Sequence, residues 1–253
     1  MGYDIQKAGM WKRIAAWMLD AILLSVLAVG FAYLLSTMLG YDTYGDTLNA
    51  AYARYETEYG VVFDITQEAY QAMTEGERQN YDAAYAALIA DSEAMYAYNM
   101  MTNLTLVITT GGLLLGIMLW EFMIPLWFGN GQTLGKKAFS LGLVREDGVQ
   151  VNTLQLFIRT LLGKFTIETM IPVYILLMLF WGTIDLTGTL ILAALLLGQA
   201  VCVGMTRNNS AIHDLLAATV VVDLSSQNIF RSREDLIEYQ KRVAAERAAR
   251  QTY

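Results

Sequence analysis

The hydrophobic and polar positions fall into long blocks. The first apolar block begins at Trp11, and from Ala21 to Leu39 it carries no charge. That is about 19 residues, enough to cross most of a hydrocarbon layer of roughly 30 Å. The second runs from Leu104 to Phe128, interrupted only by Glu121 and with Pro125 near its end. Gly112 and Gly116 give it a small-xxx-small spacing that allows another helix to approach. From Thr169 to Thr206 the sole charge is Asp185. As one straight helix this block would reach about 57 Å, nearly twice the layer thickness, so it must be two spans broken around Gly182, Asp185 and Gly188. The pattern predicts an all-α membrane protein with four transmembrane helices.

The polar blocks between them complete the division. Residues 1–40 hold the N-terminus and first span, 41–103 an insertion, 104–128 the second span and 129–166 a loop. Residues 167–206 hold the third and fourth spans, and 207–253 a charged tail. Within 41–103, Thr66 is placed to cap a helix through Gln71. Thr74 with Glu77 matches a capping box, and Tyr81, Ala84, Tyr85 and Leu88 recur at helical spacing. A small helical extracytoplasmic insertion is expected. In the 129–166 loop, Leu141–Arg145 and Val149–Asn152 flank an Asp-Gly turn as in a hairpin, and Ala218–Asp223 is a further β-branched run. Together they predict a short cytoplasmic β element. Acid-before-base pairs such as Glu238 with Arg242 mark the tail as an exposed helix.

Composition agrees with a membrane protein: 55 % of the 253 residues are hydrophobic and 16 % charged, against about 25 % charged in soluble domains. The net charge of -7 is unevenly spread, with eleven acids and only Arg54 and Arg78 as bases in 41–103. An N-terminus inside, followed by four crossings, places the other fifteen of the seventeen Lys and Arg residues on the cytoplasmic side, as the positive-inside rule requires. A multi-pass protein of the cell membrane with both termini cytoplasmic is expected. The first span is read as retained, since it is long and carries Asp20. The acidic insertion suits a solvated cap, a cation-attracting vestibule or a docking module for a protein partner, and the tail offers a second docking element.

Several chemistries are disfavoured. A lone Cys202 and a lone His213 exclude a disulfide and a multi-histidine or thiolate metal site. Gly131-Gln-Thr-Leu-Gly135-Lys136-Lys137 fails as a phosphate-binding loop, since Asn130 stands where its first glycine belongs and Lys137 where Ser or Thr belongs. It reads instead as a tight turn with lysines near lipid phosphates. No cofactor, nucleic acid or enzymatic role is expected. The informative residues are charges within or beside the spans. Asp20 and Glu121 fall at similar depth on antiparallel helices, and Arg13, Arg159, Arg207 and Asp214 lie near the inner membrane face. Three readings fit this set: paired carboxylates tuned by arginine for handling a proton or cation, a network that pins helix register, and a site for a lipid headgroup or a partner.

Trp-Lys-Arg13-Ile-Ala-Ala-Trp-Met-Leu-Asp20, GNGQTLGKKAFSLGLVREDG, Arg159 and TRNNSAIHDLLAATVVV with Asp214 together resemble the RDD family of bacterial membrane proteins. That family is named for one arginine and two aspartates, matching Arg13, Asp20 and Asp214. The resemblance implies a multi-pass membrane region suspected of transport, with ion or proton antiport suggested for some members. The 41–103 block is longer than the family's usual link, and four spans are few for an independent transporter, which suits a homo-oligomer. A membrane adaptor or assembly factor is the competing expectation.

Overall fold

The computed structural model describes residues 5–180, 182, 186–206 and 208–251. Among the described residues, four helices are long and apolar enough to cross a membrane: Met10–Met38, Ser92–Phe128, Thr153–Leu179 and Leu186–Met205. The chain is 76 % helical with one small two-stranded sheet, an all-α membrane protein. Arg207 and Asp185 lie outside the described residues, as does most of the expected break; Gly182 within that break has φ 65°, a left-handed backbone that stops a helix.

Two of the spans begin earlier than the apolar blocks. The second starts at Ser92, because Asp91 caps it: its Oδ1 accepts from the backbone N–H groups of Glu93 (2.9 Å) and Ala94 (3.2 Å). The third starts at Thr153, where Asn152 and Gln155 form a capping box. It therefore carries Arg159 and Lys164, which the charge pattern alone places in the 129–166 loop. Charge counting ends a span at its first base, but these two bases are neutralised by acids on other elements, so the helix continues.

By contacts the chain forms two units, residues 1–28 with 113–253, and residues 29–112. The second unit contains α2 (Tyr41–Tyr59), α3 (Gln67–Ala72) and α4 (Glu75–Ala90), together with parts of α1 (Met10–Met38) and α5 (Ser92–Ile117). Thr66 caps α3 by accepting from Ala69 N–H at 3.2 Å, and Thr74 with Glu77 forms the capping box of α4. With no disulfide available, this unit is held by side-chain packing. Phe63 stacks edge-on against Tyr52, Tyr81 and Tyr85, and Ala51, Leu88 and Ala94 fill the space between helices. Arg54 pairs with Asp91 and lies over the Tyr55 ring.

In the first unit, α5 runs into a π-helical turn, Met118–Met123, and then α6 (Ile124–Phe128). At Gly116 a Cβ would stand 3.3 Å from the Ala28 backbone, so the glycine lets α1 and α5 meet closely, as its spacing suggested. The short α7 (Leu134–Ala138) leads into β1 (Leu141–Arg145). Helix α8 (Thr153–Ile158) then widens into a second π segment, Arg159–Met170, before α9 (Ile171–Phe180). After α10 (Leu186–Met205), the short α11 (Ile212–Ala217) leads into β2 (Thr219–Asp223), and the chain ends in α12 (Arg233–Gln251).

The sheet is one antiparallel pair in which Leu143 faces Val221. The expected local hairpin is reduced to an isolated bridge, Val144 with Gln150; the true partner of Leu141–Arg145 is the distant β-branched run. Both strands are entered through a non-glycine residue in the left-handed region, Ser140 (φ 55°) and Ala218 (φ 50°). Each costs about 1 kcal/mol, offset by burying Leu141, Leu143, Val144, Val220 and Val222.

Candidate functional site

Inside the first unit, α1, the two π segments, α10 and α11 enclose a cavity of about 540 Å³. Its polar side chains sort into two groups by how they are satisfied.

Asp20 is held by neutral donors. Trp120 Nε1–H (2.9 Å) and the Gly135 backbone N–H (2.8 Å) donate to its Oδ1, and the Thr133 hydroxyl (2.5 Å) donates to its Oδ2. Of the two aspartates that Arg13 could pair with, Asp20 and Asp214, it takes Asp214. Instead the GQTLGKK segment docks onto α1 at the Asp20 carboxylate. Gly135 is required there, because a Cβ would collide with the Ala16 carbonyl and stand 2.6 Å from Asp20 Cγ.

The other acids are held by bases. Arg159, 1 % exposed, reaches Asp214, 0 % exposed, through Nη2 (2.9 Å) and Nε (3.0 Å). Arg13 Nη2 approaches the same carboxylate at 3.5 Å, while its Nη1 donates to the Asn209 carbonyl at 2.5 Å. Asp214 also accepts from the Thr219 hydroxyl at 3.3 Å. Burial alone would raise its pKa, but Arg159, His213 and Arg13 around it hold it well below the usual carboxylate range.

Glu121 pairs with Lys164 through Oε1 and with Lys136 through Oε2 (3.4 Å), with Arg159 Nη1 at 3.9 Å. Asp20 and Glu121 thus line one cavity without pairing through a shared proton. Burial draws the Lys136 ammonium down to about 8 against the pull of Glu121. Pro125 has no N–H for the carbonyl four residues back, that of Glu121, and the Thr160 hydroxyl donates to this carbonyl instead (3.0 Å). The proline therefore both accompanies the π turn and ties the second span to the third.

A further pair had not been singled out from sequence. His213 Nδ1 lies 2.7 Å from Glu168 Oε2 and 2.8 Å from Oε1, and its backbone N–H donates to Oε1 at 3.2 Å. Its Nε2 is 3.6 Å from Asp214 Oδ2. The imidazole bridges two carboxylates, and burial lowers its pKa below the ordinary histidine value. Gly163 permits this approach, since a Cβ there would run into the His213 backbone and Cβ. His213 had entered only as an argument against a metal site. Glu168 stands immediately before an apolar block and went unweighed. Lys136 belongs to the turn expected near lipid phosphates and Lys164 to the 129–166 loop, but both are folded onto Glu121. Arg207 is outside the described residues. Among the described residues no cluster of three or more His, Cys, Asp or Glu side chains is placed to hold a metal.

Four apolar helices around an ion-paired interior define a multi-pass membrane protein. The RDD family model matches residues 7–218, and the chain belongs to the RDD family. Comparison with curated proteins and with solved structures gave no match.

Proposed function

We propose that this protein moves protons across the cell membrane, coupled to a small cation, with His213 and Glu168 as the proton-carrying pair at the cavity wall. The observation that carries the reading is the imidazole bridging Glu168 and Asp214. A neutral imidazole donates to one carboxylate and can accept a proton on the side facing the other, the two-sided role that suits histidine to passing a proton on. Asp20 and Glu121, the carriers favoured from sequence, are less suited: every carboxylate oxygen of theirs already accepts from a donor. In this proposal Asp20 holds the GQTLGKK turn in place, Glu121 and its lysines set the local charge, and Arg13, Arg159 and Asp214 fix the imidazole. The Lys and Arg bias puts both termini in the cytoplasm, and no covalent chemistry is involved.

The second reading, a non-transporting adaptor with a helix-pinning network, is favoured by the same saturation of carboxylates. Liposomes loaded with a pH-sensitive dye separate the two. Transport predicts cation-dependent proton flux that is lost in His213→Gln and Glu168→Gln and retained in folded Asp20→Asn. Absence of flux from the unmodified protein, or flux indifferent to His213→Gln, sinks the proton reading.

A further inference from the structure

The same cavity has a second property that does not depend on proton movement. Its carboxylates are fully engaged, but its bases are not. An ammonium carries three donors and a guanidinium five. Among the described residues, Lys136 and Lys164 each donate once, to Glu121, and Arg13 donates through Nη1 and Nη2 only. Arg159 Nη1 is buried with no hydrogen-bond partner. Formal charges of the lining balance, four bases against Asp20, Glu121, Glu168 and Asp214. The hydrogen-bonding capacity does not: the cavity offers surplus donors and spent acceptors. The lining acids Asp20, Glu121 and Asp214 are at most 5 % exposed, and Glu168, whose side chain keeps 21 % exposure, has both oxygens against His213. Side chains of Lys164 and Arg13 keep 16 % and 12 % exposure. What this surface lacks is an anion with several acceptor oxygens.

The remaining walls are apolar. Trp17 and Leu24 of α1 and Leu195, Leu196 and Val203 of α10 line the cavity, and Trp17 and Leu196 are also largely exposed on spans that meet lipid. A volume of about 540 Å³ is within the range of sites that take a ligand of headgroup size. Bases clustered between spans beside apolar walls suit a charged head with a hydrocarbon tail. We infer that the cavity binds an anionic phospholipid, its phosphate held by Lys164, Lys136 and Arg13 and its acyl chain lying along α1 and α10. The bilayer supplies such a ligand at high local concentration.

The test uses the full chain, purified in neutral detergent and stripped of lipid. Its thermal unfolding is followed as short-chain phosphatidylglycerol, phosphatidylcholine with the same chains, or inorganic phosphate is added. Saturable stabilisation by phosphatidylglycerol, about 3 °C or more, with neither of the others matching it, is the expected result. Lys164→Gln weakens the half-saturating concentration roughly fivefold, and Lys164→Arg restores it. Should Lys164→Gln fail to fold, Ala21→Phe, which narrows the apolar wall and leaves every charge in place, must weaken binding. Equal shifts from the two lipids, full stabilisation by phosphate alone, or indifference to the folded variants overturns the inference.

Discussion

Two buried aspartates in this protein are satisfied by different means. Asp214 is surrounded by bases, whereas Asp20 relies on an indole N–H, a hydroxyl and a backbone N–H. Replacing it by Asn exchanges one acceptor oxygen for a donor, which then faces donors already aimed at that point. Leaving one of them unsatisfied in a dry site costs about 1–3 kcal/mol. Asp20→Asn should therefore lower the thermal midpoint in detergent, and equal midpoints for variant and parent would contradict this role. Residue identity alone was a good guide to which charges are buried, since Arg13, Asp20, Glu121 and Asp214 interrupt or flank apolar runs. It was a poor guide to partners. Arg13 and Asp20 share a helix face by spacing, yet Arg13 turns to a residue 201 positions away, and no local signal records that.

Among the elements, the π-helical segments were invisible in the sequence. An α-helix and a wider helix bury the same kind of apolar run, and the period of hydrophobicity does not separate them over one or two turns. Pro125 and Pro172 were the available hints, each following a π segment within two residues. The consequence at Pro125 is testable through its rescuer. Thr160→Val keeps the shape and removes the donor to the Glu121 carbonyl, at a cost of about 1–3 kcal/mol. A denaturation midpoint unchanged from the parent would show that the carbonyl finds another donor. Strand pairing was legible only in part. The Asp-Gly turn predicted a local hairpin, but pairing with Thr219–Asp223 buries Leu141, Leu143 and Val144 on one side and Thr219, Val220, Val221 and Val222 on the other, which the short Val149–Asn152 segment cannot match.

For the molecule as a whole, the four spans and the two-part division of polar blocks were legible because lipid tolerates no compromise in length or charge. The site was not, because it is assembled from α1, two π segments and α11 by ion pairs that only the fold brings together. The sheet joins this assembly to the N-terminus: Lys7 bridges Val222, and Lys12 pairs with Asp223 at 2.6 Å. Bonds from Lys12 and Ser225 pull the Asp223 carboxyl down to about 2. A depressed carboxylate stabilises the fold above its unfolded value and ceases to do so as the proton returns. The contribution should thus be present at neutral pH and lost between about pH 4 and pH 2. Lys12→Gln should reduce that acid sensitivity; an identical pH profile of unfolding would refute the link.

The pairing of Arg159 with Asp214 spans 55 residues, whereas Lys164 looks back 43 residues to Glu121. On a ribosome making about 5–20 residues per second, the arginine emerges some 3–11 s before its aspartate exists. During that interval the third helix enters lipid with one cation already neutralised and the other waiting. Nascent chains halted before Asp214 would carry a guanidinium whose acidic neighbour is Glu121 alone, 3.9 Å from its Nη1, which makes the last quarter of the polypeptide the step that completes the packing of the charged interior.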